Sequence, residues 1–223
     1  MIHTRFISMA IAAIFLAGTC AGAKEIRKVQ IIGNSIMKHG PNASLGWHGN
    51  YGMAATEEAK DYAHLTYQRI CSALAADGQP APELLLNRIK NEQKMSGWEE
   101  LVPAAADIII IQIGDNYNGK KDVENFQKPY EQMIRDLKAN GRDPIIVCLT
   151  NWGGGPLNQM IRDAAKNCGV GSIDLAPLQK DPANSAGSEG HFTHRGVNWH
   201  PGDRGMQAIS DAISYFLFEE KRK

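Results

Sequence analysis

The sequence has no surplus of either charge: 24 lysines and arginines are balanced by 24 aspartates and glutamates. Electrostatic binding of nucleic acid needs an excess of basic residues, so that class of partner is excluded. Cysteine is scarce, with four in 223 residues, and no C-x-x-C pair occurs, which leaves a zinc knuckle unsupported. No His-Glu-x-x-His pattern is present, so His191, His194 and His200 are not read as a metal site. Neither a Gly-x-Gly-x-x-Gly stretch nor a phosphate-loop pattern appears, which argues against a nucleotide or flavin module. No metal and no cofactor is expected. No apolar run reaches the roughly 20 residues that span a bilayer with margin.

The apolar run that does exist covers residues 6–18 and follows Arg5. Ala21-Gly22-Ala23 then offers small residues at the positions a signal peptidase reads, and Lys24-Glu25 opens a polar stretch. Residues 1–23 therefore read as a signal peptide. Residues 24–223 read as an exported chain, periplasmic or secreted, with no stable membrane insertion. Cleavage removes Cys20 and leaves Cys71, Cys148 and Cys168, an odd number that permits at most one disulfide. Cys148 paired with Cys168, or three free thiols, both satisfy the count.

The remainder alternates between short apolar runs and amphipathic stretches. Val29-Gln30-Ile31-Ile32 reads as a strand ending at Gly33, and Leu84-Leu85-Leu86 begins a weaker one. Residues 108–113 and 145–149 are continuous apolar runs, as expected of strands buried on both faces. Residues 172–175 supply a fifth strand. Between them, helical spacing runs over residues 53–76, from Val123 to Leu137 with a stop at Asn140-Gly141, from Leu157 to Cys168, and from Met206 to Phe216. This is the pattern of one domain, 24–223, with a five-stranded parallel sheet covered by helices on both faces: an α/β chain in three layers. The segment from about 176 to 202 is longer than most connections, and such segments are often functional.

In open parallel sheets, ligands bind outside the carboxyl ends of the strands. Four polar signals fall there. Gly33-Asn34-Ser35-Ile36 follows the first strand and presents a serine hydroxyl beside a glycine that tolerates a tight turn. Gly46-Trp47-His48-Gly49-Asn50-Tyr51-Gly52 leads into the first helix, where free N–H groups favour an anion. Gly114-Asp115-Asn116 follows the third strand, and an Asn amide there can donate to developing negative charge. Asn198-Trp199-His200-Pro201-Gly202-Asp203 lies at the mouth of the last helix and offers a histidine as general base. Taken singly, each is ordinary turn chemistry. Their order and shared edge are informative.

With these blocks in this order, the chain resembles the SGNH (GDSL-like) hydrolases, esterases on a flavodoxin-like three-layer sandwich. The resemblance implies Ser35 as nucleophile, His200 as base, and an oxyanion hole from the Ser35 N–H, a glycine N–H (Gly52, with Gly49 its rival) and Asn116. The wording Gly40-Pro41-Asn42-Ala43, Gly52-Met53-Ala54-Ala55 and His200-Pro201-Gly202-Asp203 is similar to exported bacterial members associated with acylated carbohydrates. It thus implies hydrolysis of short acyl esters, acetyl first among them, with a small molecule or a glycan carrying the ester. Trp152 and Trp199 border the expected site and are candidates for sugar stacking, against ordinary packing. A glycan-binding protein on the same fold that has lost turnover is the alternative.

The sequence departs from the family's Asp-x-x-His: Val197 stands where the aspartate belongs. Three groups are candidates to orient His200. Asp203 occupies a position expected of a helix N-cap, its carboxylate then facing backbone N–H groups. Glu189 lies in the preceding loop. A main-chain carbonyl of the 195–198 segment can accept from the ring and fix its tautomer without charge. The expectation is this last arrangement, a Ser35–His200 dyad on a carbonyl, with Val197→Asp supplying a third member if the geometry matches the family's.

Overall fold

A computed structural model describes residues 24–117 and 124–219. The expected signal peptide, Val123 at the head of the second helical stretch, and the charged residues after 219 lie outside the described residues. The strands are β1 (Lys28–Gly33), β2 (Glu83–Arg88), β3 (Ile108–Gln112), β4 (Ile145–Leu149) and β5 (Gly171–Ile173). All pair in parallel, in the order β2-β1-β3-β4-β5. The long helices are α1 (Tyr62–Ala76), α2 (Glu124–Asn140) and α3 (Pro156–Cys168). The one-turn helices α4 (Ala176–Gln179), α5 (Ala186–Glu189) and α6 (Arg195–Asn198) precede α7 (Asp203–Ser214), which widens into a π-turn over Tyr215–Glu219.

Strand side chains alternate between the two faces of the sheet, and that alternation splits the core in two. Val29, Ile31, Ile108, Ile110, Val147 and Leu149 face α1 and α7, whose Ile70, Leu74, Met206, Ile209 and Ile213 complete that layer. Ile32, Ile109, Ile111, Ile146 and Cys148 face α2 and α3, meeting Phe126, Tyr130, Ile134 and Ile161. With both faces covered, β3 and β4 carry no polar alternation, which is why they read as unbroken apolar runs. Edge strand β2 is only partly buried, consistent with its weaker signal.

Two boundaries differ from the sequence reading. The first helix begins at Tyr62 rather than near residue 53, because the buried Asp61 carboxylate accepts from His64 N at 2.8 Å and caps it there. The residues before it form turns, with Ala54 at a φ of 77°. The 176–202 segment is not an open loop but carries α4, α5 and α6. Among the described residues no helix is long and apolar enough to cross a membrane.

Cys71, Cys148 and Cys168 are all free thiols. Cys148 is fully buried on β4, and that burial, with the neighbouring Cys168, pushes its thiol up to about 12. Alkylation in denaturant without reductant is therefore expected to modify all three cysteines, whereas Cys148 stays unmodified in the native protein. Peptide mass spectrometry reads both states, and a Cys148–Cys168 disulfide peptide would contradict the arrangement.

Candidate active site

Parallel strands end on one edge, and the order reverses where β2 and β3 flank β1 on opposite sides. Loops leaving such a reversal point diverge and open a crevice. A cavity of about 530 Å³ lies there, lined by Ser35, Asn116 and His200 together with residues 88–93 after β2.

Ser35 follows β1 on a turn that Asn34 builds. Asn34 Oδ1 accepts from Ile36 N at 3.0 Å, and its main-chain oxygen accepts from Met37 N and Lys38 N. This turn holds the Ser35 hydroxyl at the cavity, where Oγ lies 2.8 Å from His200 Nε2. The other ring nitrogen, Nδ1, lies 2.8 Å from the Gly196 carbonyl oxygen. Only a protonated Nδ1 can donate to a carbonyl, so Nε2 is left as an acceptor facing the serine. The carbonyl is available because α6 ends there: the last carbonyls of a helix have no partner within it. His194 fixes the same helix from its other end, its Nδ1 accepting from Gly196 N at 3.1 Å. Burial is the main cause that pushes the His200 imidazole down to about 4, with the nearby His39 adding to it. The ring is therefore neutral at pH 7.

Among the described residues, no carboxylate is bonded to that ring. Glu189 accepts from Asp203 N and Arg204 N and so caps α7. Asp203 is the first residue of α7 rather than its N-cap, and its carboxylate bonds Thr56 N, Thr56 Oγ1 and Lys60 Nζ. Val197 is fully buried in an apolar cluster with Trp47, Met53, Ala54 and Ala186. An aspartate at position 197 would place its charge in that cluster.

Two expected binding residues are elsewhere. The Gly52 N–H donates to Asp61 Oδ2 at 3.0 Å, so it is not free to face an oxyanion. A Cβ at Gly52 would lie 2.7 Å from the Ile36 carbonyl oxygen, and this close approach is what the glycine serves. Neither Gly52 nor Gly49 is among the cavity-lining residues. Trp152 is 1% exposed and packs in the core, its indole N–H on the Trp199 carbonyl at 3.1 Å, so it is not a sugar platform. Trp199 is 41% exposed and stands edge-on to the His200 ring, with centroids 5.3 Å apart.

Two carboxylates, Glu92 buried and Asp115 half-buried, sit at the site, and the sequence reading gave a role to neither. Glu92, on the short turn after β2, accepts from Asn34 Nδ2 at 3.2 Å, Gly114 N, Asn116 N at 3.4 Å and Asn116 Nδ2 at 2.8 Å. Asp115 accepts from Gln112 Nε2 at 2.7 Å, Asn34 Nδ2 at 3.2 Å and Gly153 N at 3.2 Å. Burial above all, assisted by the Glu92 charge, pushes Asp115 up to about 6, against the pull of those three donors. Gly114 makes the turn possible: its φ is 122°, and a Cβ there would lie 2.4 Å from Asn151 Oδ1. Glu92 lies in the run Lys90-Asn91-Glu92-Gln93-Lys94, whose composition reads as a solvated turn, so no sequence signal marks it. Among the described residues, no group of three His, Cys, Asp or Glu side chains is placed to hold a metal ion.

No protein-family profile and no curated protein matches the sequence. Solved structures do match the fold. A family two carbohydrate esterase from Clostridium thermocellum in complex with cellohexaose superposes with a TM-score of 0.58 at 15% identity, over 90% of this chain and 66% of that one. A two-domain esterase active on acetylated mannans gives 0.54 at 18% identity, over 89% of this chain and 50% of that one. The acetyl xylan esterase AlAXEase gives 0.55 at 17% identity, over 86% and 100%. The chain thus spans about two thirds of the first structure's length and half of the second's. At these identities the likeness establishes the three-layer α/β/α fold.

Glu189→Ala is expected to lower the unfolding free energy by about 1 kcal/mol, the usual scale for a lost helix cap. It is expected to leave the His200 titration, followed by NMR, unmoved at about 4. A shift of that midpoint would mean Glu189 does reach the ring.

Proposed function

We propose that this protein is an SGNH-type serine esterase that removes short acyl groups, acetyl first among them, from a carbohydrate. The carrying observation is the Ser35 Oγ–His200 Nε2 approach of 2.8 Å, with the opposite ring nitrogen on the Gly196 carbonyl. In this reading Ser35 Oγ attacks the ester carbonyl carbon while Nε2 takes its proton. The oxyanion receives hydrogen bonds from the Ser35 N–H, which bonds no described residue, and from the Asn116 side chain. The imidazolium returns the proton to the departing alkoxide, which leaves as the alcohol. Water then attacks the acyl-enzyme by the same route and releases the carboxylic acid.

The cavity supports a short acyl group and a polar carrier. Its large apolar lining is confined to Leu45, Met53 and Ile89, and the rest is mainly His, Arg, Lys, Asn and Gln side chains. That leaves little surface for a long alkyl chain. The structural neighbours that act on acetylated mannans and acetyl xylan support the same substrate class by analogy. Export as a 24–223 chain belongs to the same proposal. The missing carboxylate on His200 favours one alternative, a glycan binder without turnover, and an ester assay separates the two.

Short-chain nitrophenyl esters and acetylated glycans are expected to be hydrolysed, octanoyl esters poorly, and Ser35→Ala is expected to abolish turnover with the unfolding midpoint nearly unchanged. Asn116→Ala should lower kcat about 10²–10³-fold with little change in KM. Because the His200 base is neutral above about 4, kcat/KM should hold from pH 7 down to about 5 and fall through an acid limb near 4. Binding of an acetylated glycan with no turnover at any pH would establish the alternative, and an acid limb near 6.5 would mean a solvated or carboxylate-paired ring.

A further inference from the structure

We propose that Glu92 is the positioning residue that aims the Asn116 side-chain amide into the cavity. Its kinetic consequence rests on the esterase reading above. Glu92 is 8% exposed, and no lysine, arginine or histidine among the described residues pairs with it. Its charge is held by amide donors alone, from the loops that follow β1 and β3.

The terminal torsion of an asparagine is broad and nearly two-fold, so an unassisted Asn116 on a turn presents its oxygen and its NH₂ almost interchangeably. An ionised carboxylate accepts and cannot donate. Glu92 Oε2 at 2.8 Å from Asn116 Nδ2 therefore admits the NH₂ and rejects the carbonyl oxygen. Glu92 Oε1 fixes the same turn through Gly114 N and Asn116 N. One amide hydrogen is occupied by Glu92, and the second stays available to the cavity that Asn116 lines with Ser35 and His200. The carboxylate also has an opposing effect, since a negative charge near the oxyanion repels it. The two effects give opposite signs on removal of the charge. If orientation dominates, neutralising Glu92 slows the reaction; if repulsion dominates, it accelerates it.

Glu92→Gln keeps the shape but introduces an NH₂ that can bond the Asn116 oxygen and so permits the flipped amide. The test measures kcat and KM on a short acyl ester for the wild type, Glu92→Gln, Asn116→Ala and the double variant, with thermal unfolding as control. Alongside it, the Asn116 side-chain amide is followed by ¹⁵N NMR. We expect Glu92→Gln to lower kcat tenfold or more with KM within twofold, and to shift the Asn116 NH₂ signals. In the Asn116→Ala background the same change should alter kcat less than threefold, because the partner it acts through is gone. Glu92→Asp, which withdraws the carboxylate by one methylene, should lose less and show the same coupling, and it carries the test if Glu92→Gln does not fold. Effects that multiply independently in the double variant, a raised or unchanged kcat, or unmoved Asn116 signals each overturn the proposal. A wild type that hydrolyses no ester, with Asn116 signals that still respond to Glu92→Gln, sinks the esterase reading and leaves the positioning role intact.

Discussion

Two carboxylates, Glu92 buried and Asp115 half-buried, with no cation among the described residues paired to either, set the terms for the whole carboxyl edge of the sheet. An ionised group taken out of water must recover its hydration from fixed donors, or its charge is lost. Glu92 and Asp115 recover it from Asn34 after β1, Gly114 and Asn116 after β3, and Gly153 after β4. Glu92 itself comes from the loop after β2. Four loops that share no strand are thereby tied into one network, and the Ser35 turn is part of it through Asn34. A loop that moved away would leave an uncompensated buried charge, which is costlier than a lost neutral hydrogen bond. The turn that carries Ser35 is held from several loops for this reason.

His200 reaches the same place under the opposite constraint. Its ring is desolvated but supported by a neutral carbonyl, so it is easy to keep uncharged and hard to protonate. A carboxylate on Nδ1 would favour the imidazolium, but the neighbouring side chain, Val197, is committed to packing with Trp47, Met53 and Ala186. That cluster holds the 45–54 strap against the segment carrying α5 and α6. Ring support from the end of a helix leaves this packing undisturbed. The exchange is a ring that is harder to protonate for a better-packed wall.

The sheet was legible in the sequence because β1, β3 and β4 bury both faces and so announce themselves as apolar runs. Ser35 and His200 could be placed on one edge from the rule about where parallel strands end, and the family resemblance is what paired them. The helix start was misread because the capping role of Asp61 depends on its burial, which periodicity does not report. Gly52 was misassigned for a related reason: a glycine in a turn signals freedom of the backbone, whereas here it permits the close approach of Ile36 and Asp61. Trp152 was read as a site residue from its position beside a strand end, yet its side chain turns inward. Glu92 was missed because a charged residue in a polar run looks solvated until the fold closes over it.

The hydrogen bond between Ser35 and His200 joins positions 165 residues apart. Every strand, both helices that cover the second core layer, and the whole carboxylate network are encoded before residue 174. A chain cut short there would contain Ser35, its turn and the amide donors, but not His200. It would also lack α7, so the face carrying Ile31, Ile110 and Val147 would keep α1 but lose the rest of its cover. The long-range contact that completes the site is made by the same terminal segment that seals the core. Loss of this segment would therefore remove the Ser35–His200 contact and part of the cover of the core together.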